Sequence, residues 1–310
     1  MSSKTIIAVA HHKPGITVQD DMFLPIQVGA ELSSLDLGIQ RDNEGDNISS
    51  LNPYYCEMTA VYYLWKNYLN YDYYGLCHYR RYLTFKSPNI LNRLFNLSFF
   101  WGSKLLHLWY YQARYSKLYS YPCTEDSLNK EIDFFRKKFL ENTNRNPSAF
   151  YCSKEVSLST RTIYEHFAII CGFQKVDEII SIVKQDYPEY AAALGNTMAG
   201  HKLFSGNIAI FPKDMFNRYA AFVFGVLEKH YKISIADIDA PSNRLYARMS
   251  GYYSEFLTDA FIRREMEMGS EYYKLATLYV VSKEEKEIWY KKKWVSFLIK
   301  CGIFNVNFLR

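Results

Sequence analysis

Three side chains packed into GLCHYRRYL, residues 75–83, carry the clearest chemistry in the chain: His78, Arg80 and Arg81. Two guanidinium groups beside an imidazole point to an anionic ligand, because the planar fork matches phosphate or carboxylate oxygens. His11, His12 and Lys13 form a second polar group, directly after the β-branched run TIIAVA. Adjacent residues of an extended chain face opposite ways, so one histidine is expected to serve a site and the other to be structural. The loop RDNEGDNIS at 41–49 offers Asp42, Glu44, Asp46 and Asn47. It reads either as a contact to sugar or ribose hydroxyls or as a solvated turn, and its acidic spacing does not fit a calcium-binding EF-hand. Glu255 stands among Tyr253, Phe256 and Leu257, a setting that can ready a carboxylate for base catalysis, or it pairs with a cation such as Arg248. Asp237 and Asp239 form a DxD string, and His201, Ser205 and Asn207 occupy a loop that enters an apolar run. His166, on an apolar helix face, reads as a packing residue.

These groups need elements to place them. The stretch Asn52–Leu83 reads as a helix running into a strand. Pro53 suits a first helical turn and Asn52 suits its cap. Met58, Val61, Tyr62 and Trp65 then form one apolar stripe, and Tyr73–Cys77 is short, apolar and aromatic, like a buried strand. The cluster at 78–81 would thus lie at a strand's carboxyl end, the edge where open α/β sheets bind ligands. Further strands are expected at Thr5–Ala10, Phe23–Val28, Ala149–Cys152 and just after Asn207. Helices are expected at Asn129–Glu141, Ser159–Lys184, Lys213–Lys229 and Asn243–Arg264, with a flexible link at Gly195–Gly200.

The 310 residues, 49% of them hydrophobic, can build a sizeable core. Aromatic residues reach 17%, including 28 Tyr, which fits carbohydrate handling or a membrane interface, and equally a compositional habit. A net charge of +5 does not demand nucleic acid, and no nucleic-acid-binding signature is present. Six scattered cysteines without a CxxC pair read as reduced core residues of a cytoplasmic protein. No signal segment, transmembrane-length run, Walker motif, GxGxxG, GxSxG or HExxH is found. Two aromatic, basic stretches leave alternatives open. Residues 86–118 read as an interfacial membrane helix or as a buried helix covering the sheet. The tail 283–310, with Lys291–Lys293 beside Trp289 and Trp294, reads as a reversible membrane anchor or as a docked terminal helix.

The blocks HKP (12–14), PIQVGA (25–30), GDNIS (45–49), NPYYCEMTAVYYLWKN (52–67) and GLCHYRRYL resemble the domain of unknown function 4422 family. SGNIAIFPKDMF (205–216) and RMSGYYSEFL (248–257) are similar to its later blocks. The family is associated with capsular polysaccharide, exopolysaccharide and O-antigen biosynthesis and is regarded as glycosyltransferases, some described as galactofuranosyltransferases. The resemblance implies an α/β, GT-A-like fold: a single mixed central sheet flanked by helices over 1–282, with a helical, aromatic insertion at about 86–127 and the basic amphipathic tail at 283–310. It implies transfer of a sugar, galactofuranose being favoured, from a UDP-sugar to a growing, lipid-linked surface polysaccharide. The protein would sit peripherally at the inner face of the cell membrane, with no nucleic-acid partner. The donor would be held by His11, His12, Lys13, Asp46, Asn47, Asn52, Tyr55, Glu57, Thr59, His78, Arg80 and Arg81, and the acceptor by His201, Ser205 and Asn207. Glu255 would be the base of an inverting reaction and Asp237 its substitute. In GT-A enzymes a metal-binding DxD ends the donor strand. Here His78-Tyr79-Arg80 stands in that place, so no metal ligand is assigned, and manganese or magnesium dependence is not implied. The competing reading is a non-catalytic carbohydrate-binding or assembly subunit.

Overall fold

The computed structural model describes residues 3–87, 120–158, 161–204, 206–238 and 248–283. Residues 88–119 of the aromatic insertion and the tail beyond Lys283 lie outside them, so the membrane readings placed there lie outside the described residues as well.

The first four strands set the frame. β1 (Thr5–His11), β2 (Phe23–Gln27) and β3 (Gln40–Arg41) run parallel, side by side. The chain then forms α1 (Asn52–Tyr55) and α2 (Met58–Asn67) and returns as β4 (Tyr73–His78), parallel to β1 on its other side. The order is therefore 3-2-1-4, and the connections leave β1 and β4 in opposite directions. A crevice opens at such a reversal, outside the strands' carboxyl ends. β1 is buried on both faces, because Ile6, Ala8 and Ala10 pack into one core while Ile7 and Val9 pack into the other. That explains why TIIAVA is apolar throughout rather than alternating.

A tight turn at Tyr79-Arg80 sends the chain back as β5 (Arg81–Thr84), with His78 opposite Arg81. The strand expected to end in a polar cluster is thus one arm of a hairpin with the cluster at its tip. β6 (Ser120–Thr124) leads into α3 (Glu125–Arg145), which covers one sheet face with Leu128, Ile132, Phe135 and Phe139. β7 (Phe150–Ser153) follows, and β8 (Glu155–Ser157) starts a small two-stranded sheet. α4 (Ile163–Cys171), α5 (Phe173–Asp186) and α6 (Pro188–Ala199) come next. β9 (Lys202–Phe204) pairs with β8, and β10 (Ala209–Pro212) joins the main sheet antiparallel to β4. α7 (Lys213–Ile238), α8 (Met249–Glu267) and β11 (Tyr272–Val281) complete the described chain. β11 pairs with β5, β6 and β7, closing a mixed nine-stranded sheet.

Four expectations change. The helix read across 52–67 is broken at Cys56 (φ 50, ψ −130), so Asn52 opens α1 rather than capping a long helix. Its side-chain amide instead donates to the Cys56 carbonyl (2.8 Å) and approaches the Thr59 hydroxyl (3.3 Å), holding the break. The helix read across 159–184 is two, separated by Gly172 at φ 94, and the first starts at a Thr162/Glu165 capping box. Gly195–Ala199 is helical, not a link. α7 runs beyond Lys229 to Ile238. His166 is buried edge-on against Phe167, and the five described cysteines form no disulfide. Among the described residues no helix is long and apolar enough to cross a membrane.

Candidate active site

A cleft of about 700 Å³ opens beyond the carboxyl ends of β1 and β4, where the strand order reverses. Four parts of the chain supply its charged walls. β1 delivers His12; the β4–β5 turn delivers His78, Arg80 and Arg81; the α1–α2 break delivers Glu57; and α8 delivers Arg248 and Glu255. Asn52, Tyr79, Gly206 and Tyr279 fill in between.

The hairpin tip is held from two sides. The His78 Nε2 sits 2.8 Å from the Gly206 carbonyl, and the Arg80 Nε donates to the Val280 carbonyl (3.1 Å). The Arg81 guanidinium lies 5.7 Å from the centroid of Tyr279, a cation–π distance. Burial holds His12 below its ordinary pKa, helped by Lys13, Arg248 and His78 and opposed by Glu57. His11 is buried, its Nε2 has no hydrogen-bond partner, and burial followed by His12 takes its pKa down to about 4. It is a neutral packing residue against Tyr79, with ring centroids 5.5 Å apart.

On the Glu57 side of the cleft the backbone is unusual. Cys56, Asn207 and Arg248 are the only non-glycine residues with positive φ among those described, at 50°, 58° and 70°. All three meet at this wall. The Arg248 amide donates to the Pro53 carbonyl (2.7 Å), and its side chain bonds Cys56, which holds the guanidinium firmly charged. Burial pushes the Cys56 thiol up to about 11, so it stays neutral. Gly251 permits this approach, since a Cβ there would lie 3.0 Å from Cys56 Sγ. α8 can therefore press against the break that turns Glu57 into the cleft.

Of the residues read from sequence, His12, Asn52, Glu57, His78, Arg80, Arg81 and Glu255 line one cleft. Others stand elsewhere. Lys13 is exposed near the Tyr79 ring at 5.9 Å. Asp46 accepts from the Tyr62 hydroxyl (3.1 Å), and Asn47 is spent on its own turn, with Nδ2 on the Gly45 carbonyl and Oδ1 on the Ser49 amide. Tyr55 packs between Phe224 and Tyr231 inside the core. Thr59 is buried, with its hydroxyl on the Cys56 carbonyl (3.1 Å). His201 is exposed beside the Arg161 carbonyl (2.9 Å), and Asn207 is buried behind Glu57 rather than open to an acceptor. Ser205, Asp239 and the Asp237 side chain lie outside the described residues. Asp42, read with the sugar-contact loop, is wholly buried and accepts from the Gly29 and Ala30 amides and the Ser49 hydroxyl. It is a structural clasp. Arg248, Tyr279 and Cys56 are cleft residues that the sequence reading did not select. RMSGYYSEFL carried a signal only for Arg248.

The cleft-lining residues include two carboxylates, Glu57 and Glu255. Among the described residues no three His, Cys, Asp or Glu side chains form a group able to hold a metal ion. No step below passes through a metal ion.

The fold has a solved counterpart. The WbbM bifunctional glycosyltransferase, in its apo structure, superposes with a TM-score of 0.71 at 22% sequence identity, over 90% of this chain and 46% of that one. The chain thus has the mixed α/β fold found in part of a solved glycosyltransferase and spans about half its length. No curated protein matches the sequence. The family model Domain of unknown function (DUF4422) matches residues 6–266, so the chain belongs to that family.

Proposed function

We propose that the cleft transfers a sugar from a nucleoside-diphosphate sugar to a hydroxyl group of a glycan. One observation carries the reading: basic groups from three separate segments, His12, the 78–81 turn and Arg248, share one cleft with two carboxylates beyond the carboxyl ends of the parallel strands β1 and β4. A sugar diphosphate leaving group gains negative charge as its bond to the anomeric carbon breaks. Fixed guanidinium groups stabilise that charge most strongly where water is partly excluded. Arg80 and Arg81, tethered by Val280 and Tyr279, are suited to the diphosphate because little of their reorganisation remains to be done at reaction. The incoming hydroxyl needs a proton acceptor, and the two glutamates on the facing wall are the candidates. The sequence argument favours Glu255.

The family resemblance favours a UDP donor, galactofuranose as the sugar and a lipid-linked surface polysaccharide as the acceptor. The test is UDP release by the purified protein from UDP-galactofuranose, UDP-galactose, UDP-glucose and UDP-N-acetylglucosamine, with and without manganese. Slow release from one donor, water replacing the acceptor, is expected. Binding without any release would instead identify a carbohydrate-binding subunit.

A further inference from the structure

One of the two cleft carboxylates is held by a buried chain of hydrogen bonds. Glu57 Oε1 accepts a hydrogen bond from Asn207 Nδ2 (3.1 Å), and that amide is itself locked in a buried chain. Tyr219 donates to the Thr258 hydroxyl (2.9 Å), and Thr258 donates to Asn207 Oδ1 (2.9 Å). On the other side Asn207 Nδ2 also donates to Ser254 Oγ (2.9 Å), whose proton goes to the Gly251 carbonyl (2.7 Å). Asn207 is 3% exposed, Thr258 2% and Ser254 fully buried. Each donor has one acceptor direction left to it, so the Asn207 amide cannot rotate without stranding buried polar groups. The backbone is committed as well. Cys56 before Glu57, Asn207 bonded to it and Arg248 bonded to Cys56 are the three non-glycine residues of positive φ among those described. Such conformations persist where the surroundings over-determine them, typically at working sites.

We propose that Glu57 is the general base of the transfer and that Asn207 is the residue that positions it. The proposal rests on the transferase reading above and replaces Glu255 in the role. The Asn207 bond occupies one lone-pair direction of Oε1 and fixes the carboxylate plane. The other oxygen is left to meet a hydroxyl. In the step, the acceptor O–H proton passes to the Glu57 carboxylate and the freed oxygen pair forms the bond to the anomeric carbon. The bond from that carbon to the β-phosphate oxygen breaks, and its electron pair leaves with the diphosphate toward Arg80, Arg81 and Arg248. No external co-reactant is needed. Because base catalysis depends on placement within hydrogen-bond reach, a carboxylate anchored by a buried amide, as Glu57 is by Asn207, is suited to the role.

The experiment is a double-mutant cycle read by UDP release from the donor that the wild-type protein turns over, with donor affinity measured separately by calorimetry. Glu57→Gln is expected to lower kcat at least 100-fold and to leave donor Kd within threefold. Asn207→Ala is expected to lower kcat 10- to 100-fold in the same way, and the double variant to be no slower than Glu57→Gln alone. Thr258→Val, which keeps shape while removing the hydroxyl that orients Asn207, should reduce kcat by less and leave Kd unchanged. An active Glu57→Gln, or additive losses in the double variant of a folded protein, overturns the assignment. A wild-type protein that binds no UDP-sugar overturns the transferase reading instead.

Discussion

Replacing Asp42 by asparagine tests whether the loop at 41–49 is a clasp or a ligand contact. Asp42 Oδ2 accepts from the Gly29 amide at 2.9 Å, while Oδ1 accepts from the Ala30 amide at 3.0 Å and the Ser49 hydroxyl at 2.5 Å. The carboxylate is wholly buried, so water cannot replace it. An asparagine that keeps its oxygen at the Oδ1 position retains two bonds but turns an NH2 toward the Gly29 amide. One hydrogen bond to a charged group, worth about 1.5–3 kcal/mol, is lost, and a buried donor is left facing another. Stability should fall by about 2–4 kcal/mol. At roughly 2 °C per kcal/mol for a chain of this size, the melting temperature drops by about 4–8 °C. Gly29 makes the effect reach the cleft, because its Cα hydrogen faces Asn52: a Cβ there would lie 2.6 Å from Asn52 Oδ1. Loosening this loop should therefore also weaken donor binding severalfold. Calorimetric melting and donor titration of Asp42→Asn measure both. A variant that melts within 1 °C of the wild type while losing donor binding would refute the clasp and restore the ligand-contact reading.

Other expectations follow from the same geometry. Arg80→Ala should weaken UDP binding about 10- to 100-fold, the worth of one charged hydrogen bond to phosphate, with the far-UV spectrum unchanged. His230 is buried against Glu178, Lys175, Ser234 and the Tyr253 ring, and burial, the largest influence, takes its pKa from 6.5 to about 4. The folded state holds this proton less readily than the unfolded chain, so its contribution is complete above pH 6.5 and is lost as the pH falls toward 4. Up to about 3 kcal/mol should disappear across that window in urea melts, and His230→Gln should flatten the dependence. If Arg80 and Arg81 take the place of an ion on the diphosphate, excess EDTA should leave UDP release unchanged, and restoration of lost activity by manganese alone would contradict that reading.

How much of this was legible in the sequence differs from residue to residue. TIIAVA and YYGLCH are apolar enough to be strands buried on both faces, and they are β1 and β4. GLCHYRRYL announced an anion-seeking group, and the hairpin sets it at the cleft. The break at Cys56 carried no local signal, because nothing in NPYYCEMTA demands a positive φ. It arises from α8 pressing in at Gly251 and from the Asn52 side chain taking the Cys56 carbonyl. The break after Cys171 did carry one, in Gly172. Asn207 was visible as a polar residue at a strand's mouth, yet its partners Glu57, Thr258 and Ser254 lie 150, 51 and 47 positions away. Its role is tertiary, and periodicity cannot reveal it. Asp42 shows the opposite error. Its loop is rich in polar residues and resembles a solvent-facing turn, but one carboxylate is turned inward and consumed by backbone amides.

The most direct measurement is calorimetric titration of the protein with UDP and, separately, with uridine at matched ionic strength. A cleft whose charged wall receives a diphosphate predicts that UDP binds at least 100-fold more tightly than uridine, and that Arg80→Ala with Arg81→Ala removes most of that difference. Equal affinities for the two ligands, or a preference for UDP that survives loss of both arginines, would contradict the account.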